Sequence, residues 1–177
     1  MNSETTLSCD DEPVEIVDAA GRPLAVVSAG EAHRQSLPHR AVLVLFLDLE
    51  ARIILGRREA FAPAYPGRWD LPGRGHVRPG EAFLDAALRV GQALFPGRCG
   101  RFRFAYAVAA TRDTAFETLH VFWCRLTEIS LALESLPQKE EFLAVNADEM
   151  TALAADFREL LTPEVIDAFE YGRLFDG

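Results

Sequence analysis

The run Ala41-Val-Leu-Val-Leu-Phe-Leu47 constrains this chain more than any other segment. Seven consecutive apolar residues fall far short of the roughly 20 that cross a bilayer. They suit a β-strand buried on both faces, because a strand covered on one face alternates apolar with polar residues and this one does not. Such a strand needs a packed layer on each side of its sheet. With 177 residues, 49% of them hydrophobic, the chain can build one core of that kind and not comfortably two. A single domain over residues 13–177 is expected, preceded by an acidic, flexible leader at residues 1–12.

Around that strand the pattern is regular. Val14 to Asp18 and Leu24 to Ser28 read as a strand pair interrupted by Gly21 and Pro23, and residues 29–38 as a short helix or loop. Ile53 to Arg57 pairs back on the apolar run. From Phe61 to Gly80, eight Pro and Gly residues predict a long structured loop without helix or central strand. Long loops on rigid scaffolds tend to carry function. Phe83, Leu84, Ala87, Leu88, Gly91 and Leu94 then recur at helical spacing, with Glu81 placed to meet the positive helix start. Phe102 to Ala110 and Thr118 to Leu126 are aromatic-rich strands. Asn146 and Glu149 form a capping box for a helix through Leu160, and Thr162-Pro163 opens another.

Charge is unevenly distributed. The net charge is −9, yet residues 52–103 hold ten arginines against four carboxylates, a local surplus of six. An acidic protein with a basic middle suits a small anionic ligand and argues against a nucleic-acid polymer. Lys139 is the only lysine, so arginine is alternatively just the default base of this chain. Cys9, Cys99 and Cys124 are odd in number and form no C-x-x-C pattern, which suggests neither a disulfide framework nor a zinc site. Together with the acidic N-terminus, this leads to the expectation of a cytoplasmic, non-membrane protein, monomeric or homodimeric.

Gly75-His-Val-Arg-Pro-Gly-Glu81 is followed eight residues later by Arg89, which gives Gly, five residues, Glu, seven residues, Arg. That spacing resembles the first half of the Nudix box. HRAVLVLFLD from His39, ILGRRE from Ile54 and YPGRWDLPGRGHVRPGE from Tyr65 resemble the isopentenyl-diphosphate isomerase-like branch of the same superfamily. The resemblance implies an α/β (α+β) fold in which a mixed, curved β-sheet is sandwiched between helices. It also implies pyrophosphohydrolase chemistry on a diphosphate such as a nucleoside diphosphate derivative, using Mg²⁺ or Mn²⁺.

Active members continue the box with carboxylates at helix positions 0, 3 and 4, one face that holds the metal against the diphosphate. Here those positions are Val90, Ala93 and Leu94, and Pro96 replaces the closing glycine. Gly75, Glu81 and Arg89 survive as the part that shapes the loop. Two consequences are open: a hydrolase with a relocated metal site, or a catalytically inactive module that binds a phosphorylated ligand or a protein partner.

For the first, Glu140 and Glu141 lie where family members often keep a catalytic carboxylate, though both also read as solvated charges. The isomerases bind a divalent metal through three histidines and glutamates; His33, His39, His76 and Glu117 match these positions approximately, with His33 displaced by about one residue and Ala115 in place of a second glutamate. Such a set would take zinc or another transition metal. Arg74 stands where the isomerases have their catalytic cysteine, so isomerisation by that route is not expected. Arg57, Arg58, Arg68, Arg74 and Arg78 are the phosphate-binding candidates, since guanidinium donors match phosphate oxygens. Tyr65 and Trp69 serve either to stack on a base or to pack under the loop, and His120 reads as a sheet residue.

Overall fold

The computed structural model describes residues 9–62, 65–112, 114–127 and 141–175. Strand β3 (His39–Leu47) is its centre. It runs parallel to β8 (Glu117–Leu126) over nine residue pairs, from His39 opposite Glu117 to Leu47 opposite Arg125. It is antiparallel to β1 (Pro13–Val17), β4 (Ile53–Arg57) and β6 (Gly73–His76). β2 (Pro23–Ser28) pairs with β1, β5 (Trp69–Asp70) and β9 (Phe142–Val145) with β4, and β7 (Cys99–Val108) with β8. The result is a nine-stranded mixed sheet among the described residues.

The apolar run is buried on both faces because each face has its own cover. Leu43, Leu45 and Leu47 join Leu119, Val121 and Trp123 in one core. That core is closed by Met150 of α3 (Ala147–Asp156) and by Val165, Ile166 and Ala168 of α4 (Pro163–Glu170). Val42, Val44 and Phe46 join Phe122, Cys124 and Leu126 in the other, under Ala86, Ala87 and Val90 of α2 (Phe83–Leu94). The two-residue period of the strands sorts the side chains between these layers.

Several expectations need correction. The 61–80 segment contains two strands, and β6 lies directly against β3. Its alternation Gly-Arg-Gly-His explains how glycine can sit there. A Cβ on Gly75 would come within 2.5 Å of Val90 Cγ2, and one on Gly73 within 2.2 Å of the Val44 carbonyl oxygen. Glycine permits close packing at these points, while Arg74 and His76 project to the opposite face. The helix capped by Asn146 and Glu149 forms with both reciprocal bonds but stops at Asp156, and Arg158–Leu160 is a 3-10 turn. Residues 9–12, placed with the leader on composition, contain a 3-10 turn at Cys9–Asp11 and a backbone bond from Ala29 to the Glu12 carbonyl. No described helix is long and apolar enough to cross a membrane.

Candidate metal centre

Register assembles the site. His39 opens β3 opposite Glu117, the first residue of β8, and His76 ends β6 opposite Ala41 of β3. The fourth group comes from α1 (Ala29–Arg34), whose start is capped by Ser28 and whose last turn carries His33. One ligand atom from each of His33, His39, His76 and Glu117 lies within 4.8 Å of the others. Backbone turns in left-handed conformations bring them in: Ser36 (φ 56°) precedes His39, and Ala115 and Phe116 (φ 53° and 62°) precede Glu117. Non-glycine residues adopt this region at a cost that surrounding structure must hold, a pattern common at ligand sites.

The convergent atoms are the Nε2 nitrogens and one carboxylate oxygen. His33 Nε2 is 3.2 Å from His76 Nε2. Glu117 Oε1 lies 3.5 Å from His76 Nε2, 3.7 Å from His39 Nε2 and 3.9 Å from His33 Nε2. Donors about 2.05 Å from a shared tetrahedral ion would be about 3.3 Å apart, close to these spacings. His39 is the most telling member. It is wholly buried, its Nδ1 is 2.8 Å from the Leu37 carbonyl oxygen, and its Nε2 is buried without a hydrogen-bond partner. Since a carbonyl can only accept, Nδ1 carries a proton, and in the neutral ring this leaves Nε2 as the lone-pair atom that faces the cluster. The donor set fits a divalent transition metal.

Electrostatics keep the carboxylate charged. Burial alone would raise the Glu117 pKa, but the adjacent imidazoles of His39 and His76, with the charge and hydrogen bonds of Arg74, hold it far below the usual carboxylate range. Burial lowers the pKa of His33, with neighbouring His39 reinforcing it. At His76 burial also lowers the pKa, yet Glu117 and Glu12 outweigh it and the net shift is upward. A cation is what this arrangement of one carboxylate and three imidazoles can hold.

Arg89 and Glu81 hold the backbone where β6 ends at His76. Arg89 donates from Nη2 to the His76 carbonyl oxygen at 2.8 Å, and from Nε and Nη2 to Glu81 at 2.9 and 2.8 Å. Glu81 in turn accepts the Arg78 backbone N–H. Glu12, which no local pattern marks, places Oε2 3.4 Å from His76 Nδ1, in ion-pair range without a well-formed hydrogen bond. Its other oxygen accepts from Arg78 Nε at 3.1 Å.

The remaining sequence candidates do not join this cluster, with one exception. Val90 is buried against Gly75, Ala93 is exposed and Leu94 packs at the edge of the core. Arg57 donates to the Gly67 carbonyl, Arg58 pairs with Asp70 at 2.6 Å, and Arg68 donates to the Leu161 carbonyl beneath the Tyr65 ring. Arg78 is drawn to Glu12. The five arginines are thus dispersed among separate internal partners. The exception is Arg74, which pairs with Glu117 and with Glu164, the latter unforeseen. Glu141 is exposed just before β9, and Glu140 lies outside the described residues. Trp69 packs on the core, and His120 stacks on Phe83 with centroids 3.6 Å apart.

An uncharacterized Nudix hydrolase of Streptomyces coelicolor is 32% identical over 140 residues, covering 76% of this chain and 73% of the relative. The chain belongs to the Nudix family. The NUDIX domain family model matches residues 37–90, the stretch from β3 to the box helix. The relationship extends to the isomerase-like branch. The isopentenyl-diphosphate Delta-isomerase of Nocardia farcinica is 36% identical over 115 residues, 62% of this chain and 66% of that one. The corresponding protein of Cutibacterium acnes is 29% identical over 175 residues, 92% and 88% of the two chains. A solved structure from Deinococcus radiodurans superposes with a TM-score of 0.64 at 13% identity, covering 90% of this chain and 98% of its own, which supports the fold alone.

Proposed function

We propose that this Nudix-family protein holds a divalent transition metal on His33, His39, His76 and Glu117 and binds a small diphosphate-containing compound, such as a nucleoside diphosphate derivative. The buried, unpartnered Nε2 of His39, aimed at two further imidazoles and a carboxylate, carries the reading. A bound ion would brace β3, β6 and β8, the strands on which the ligand cavity is built up. The protein's own contribution is a cavity of about 320 Å³ lined by Arg103, Phe104, Ala105, Tyr106, Trp123 and Arg173. The Arg173 guanidinium lies 4.9 Å from the ring centroids of both Tyr106 and Tyr171, so its donors are held in place. Arginine with aromatic rings suits a phosphorylated ligand that also carries a planar or apolar group.

Metal content of the purified protein and thermal shift against nucleoside and isoprenoid diphosphates test this reading. About one equivalent of zinc or manganese, lost in His39→Ala, and a thermal shift with at least one diphosphate are expected. A metal-free protein that no diphosphate stabilises would sink it. Hydrolysis is the second reading, favoured by the family and opposed by the burial of Val90 where a carboxylate would be needed. Phosphate release from the same compounds in the presence of Mg²⁺, Mn²⁺ or Zn²⁺ separates binding from turnover.

A further inference from the structure

The two oxygens of Glu117 have different surroundings. Oε1 faces the three histidines, whereas Oε2 accepts from Arg74 Nε at 3.0 Å and from Arg74 Nη2 at 2.6 Å. The third guanidinium nitrogen of Arg74, Nη1, donates to Glu164 Oε1 at 2.6 Å, so the side chain is anchored at its far end by α4. Glu117 is 5% exposed at its side chain and Arg74 33%, which places the guanidinium between the buried cluster and the surface. Arg74 also alternates with two glycines on β6, and the packing of those glycines against α2 and β3 fixes the strand that aims it.

We infer that Arg74 is a positioning residue that occupies one oxygen of Glu117, confines that carboxylate to a single metal bond and closes the site at four protein donors. A carboxylate can chelate an ion through both oxygens only if both are free to turn toward it. Here one is engaged by two N–H groups of a planar fork, which a lysine cannot reproduce with the same geometry. Residue 115 is alanine, so no second carboxylate stands two positions before Glu117. Three imidazoles and one monodentate carboxylate would supply a four-donor set of the kind zinc takes, whereas Mg²⁺ demands six oxygen-rich positions. A metal held by these four protein donors would have no open position and would brace the strands that carry them.

This inference rests on the metal-centre reading above, and cobalt substitution tests the two separately. The full chain, stripped of metal and reloaded with Co²⁺, is read by visible absorption, which is intense for four-coordinate and weak for six-coordinate cobalt. The wild type should show the intense bands. Arg74→Ala should still take up Co²⁺ but drop to the intermediate intensity of five-coordinate cobalt as Glu117 gains its second bond, and Arg74→Lys should recover part of the loss. Glu164→Gln should lower the melting temperature and leave the spectrum unchanged, because Arg74 keeps its grip on Oε2. Equal, intense spectra in the wild type and Arg74→Ala would overturn the role of Arg74 while leaving the metal centre standing. A weak wild-type spectrum would do the same, as would Glu164→Gln matching Arg74→Ala. If Arg74→Ala does not fold, Arg74→Lys replaces it, and an unchanged spectrum there overturns the inference. No uptake of Co²⁺ by the wild type removes the metal centre itself, and the inference with it.

Discussion

At the scale of single residues, the centre depends on how each imidazole is oriented. His39 is fixed by the Leu37 carbonyl, a bond that selects the tautomer with a bare Nε2. His39→Ala should therefore abolish tight metal uptake, measured by metal analysis after gel filtration; full retention would show that the other three groups suffice. His76 has a more distant partner in Glu12 at 3.4 Å. Outer carboxylates that orient a ligating histidine typically contribute about 10- to 100-fold in metal affinity. Glu12→Gln should weaken zinc binding by roughly that factor in a competition titration with a chromophoric chelator, given the same kind of carboxylate–histidine pairing. An unchanged affinity would reduce Glu12 to a surface ion pair with Arg78. The histidines and Glu117 were legible in the sequence only through family resemblance. Glu12 and Glu164 were not legible, because they reach the site from 64 and 88 residues away from His76 and carry no motif of their own.

At the scale of elements, hydrophobic periodicity located β3, α2 and β8 because long patterned segments report burial directly. It failed for β5, β6 and β9, which span two, four and four residues. In β6 glycine signalled a loop by the usual reasoning, whereas the structure uses it for contact. Gly75 leaves room for Val90, so the strand that carries Arg74 and His76 lies directly on the box helix. Helix α2 thereby gains a structural role, since its position 90 is an apolar knob against the strand. Gly75→Ala should destabilise the fold by about 1–3 kcal/mol through overpacking, read from urea denaturation. Gly75→Ala combined with Val90→Ala, which removes the obstructing methyl groups, should cost less than the sum of the two single changes. Strict additivity would mean that the contact does not set the packing. The cap of α3 offers a control remote from the centre: Asn146→Ala should cost about 1 kcal/mol by loss of the N-cap bond, with no change in metal content.

At the scale of the whole molecule, the four donors belong to α1, β3, β6 and β8, and they tie together parts of the chain between residues 33 and 117. β3 lies between β6 and β8 in the sheet, so their register alone brings three of the donors near one another; α1 adds the fourth from outside it. An ion bound only by the assembled site stabilises the folded state by mass action. At free metal 100-fold above its dissociation constant the gain is about 2.7 kcal/mol, which for a chain of this size corresponds to a melting-temperature rise of roughly 5–10 °C. Removing the metal with a chelator should lower the melting temperature by that amount, and adding zinc should restore it. In His39→Ala neither treatment should move the transition. The comparison matters because exposed carboxylates bind zinc weakly in any acidic protein, and this one carries a net charge of −9. Nonspecific binding of that kind would shift His39→Ala and the wild type alike, and such a result would mean that the convergence of the three histidines on Glu117 stabilises nothing.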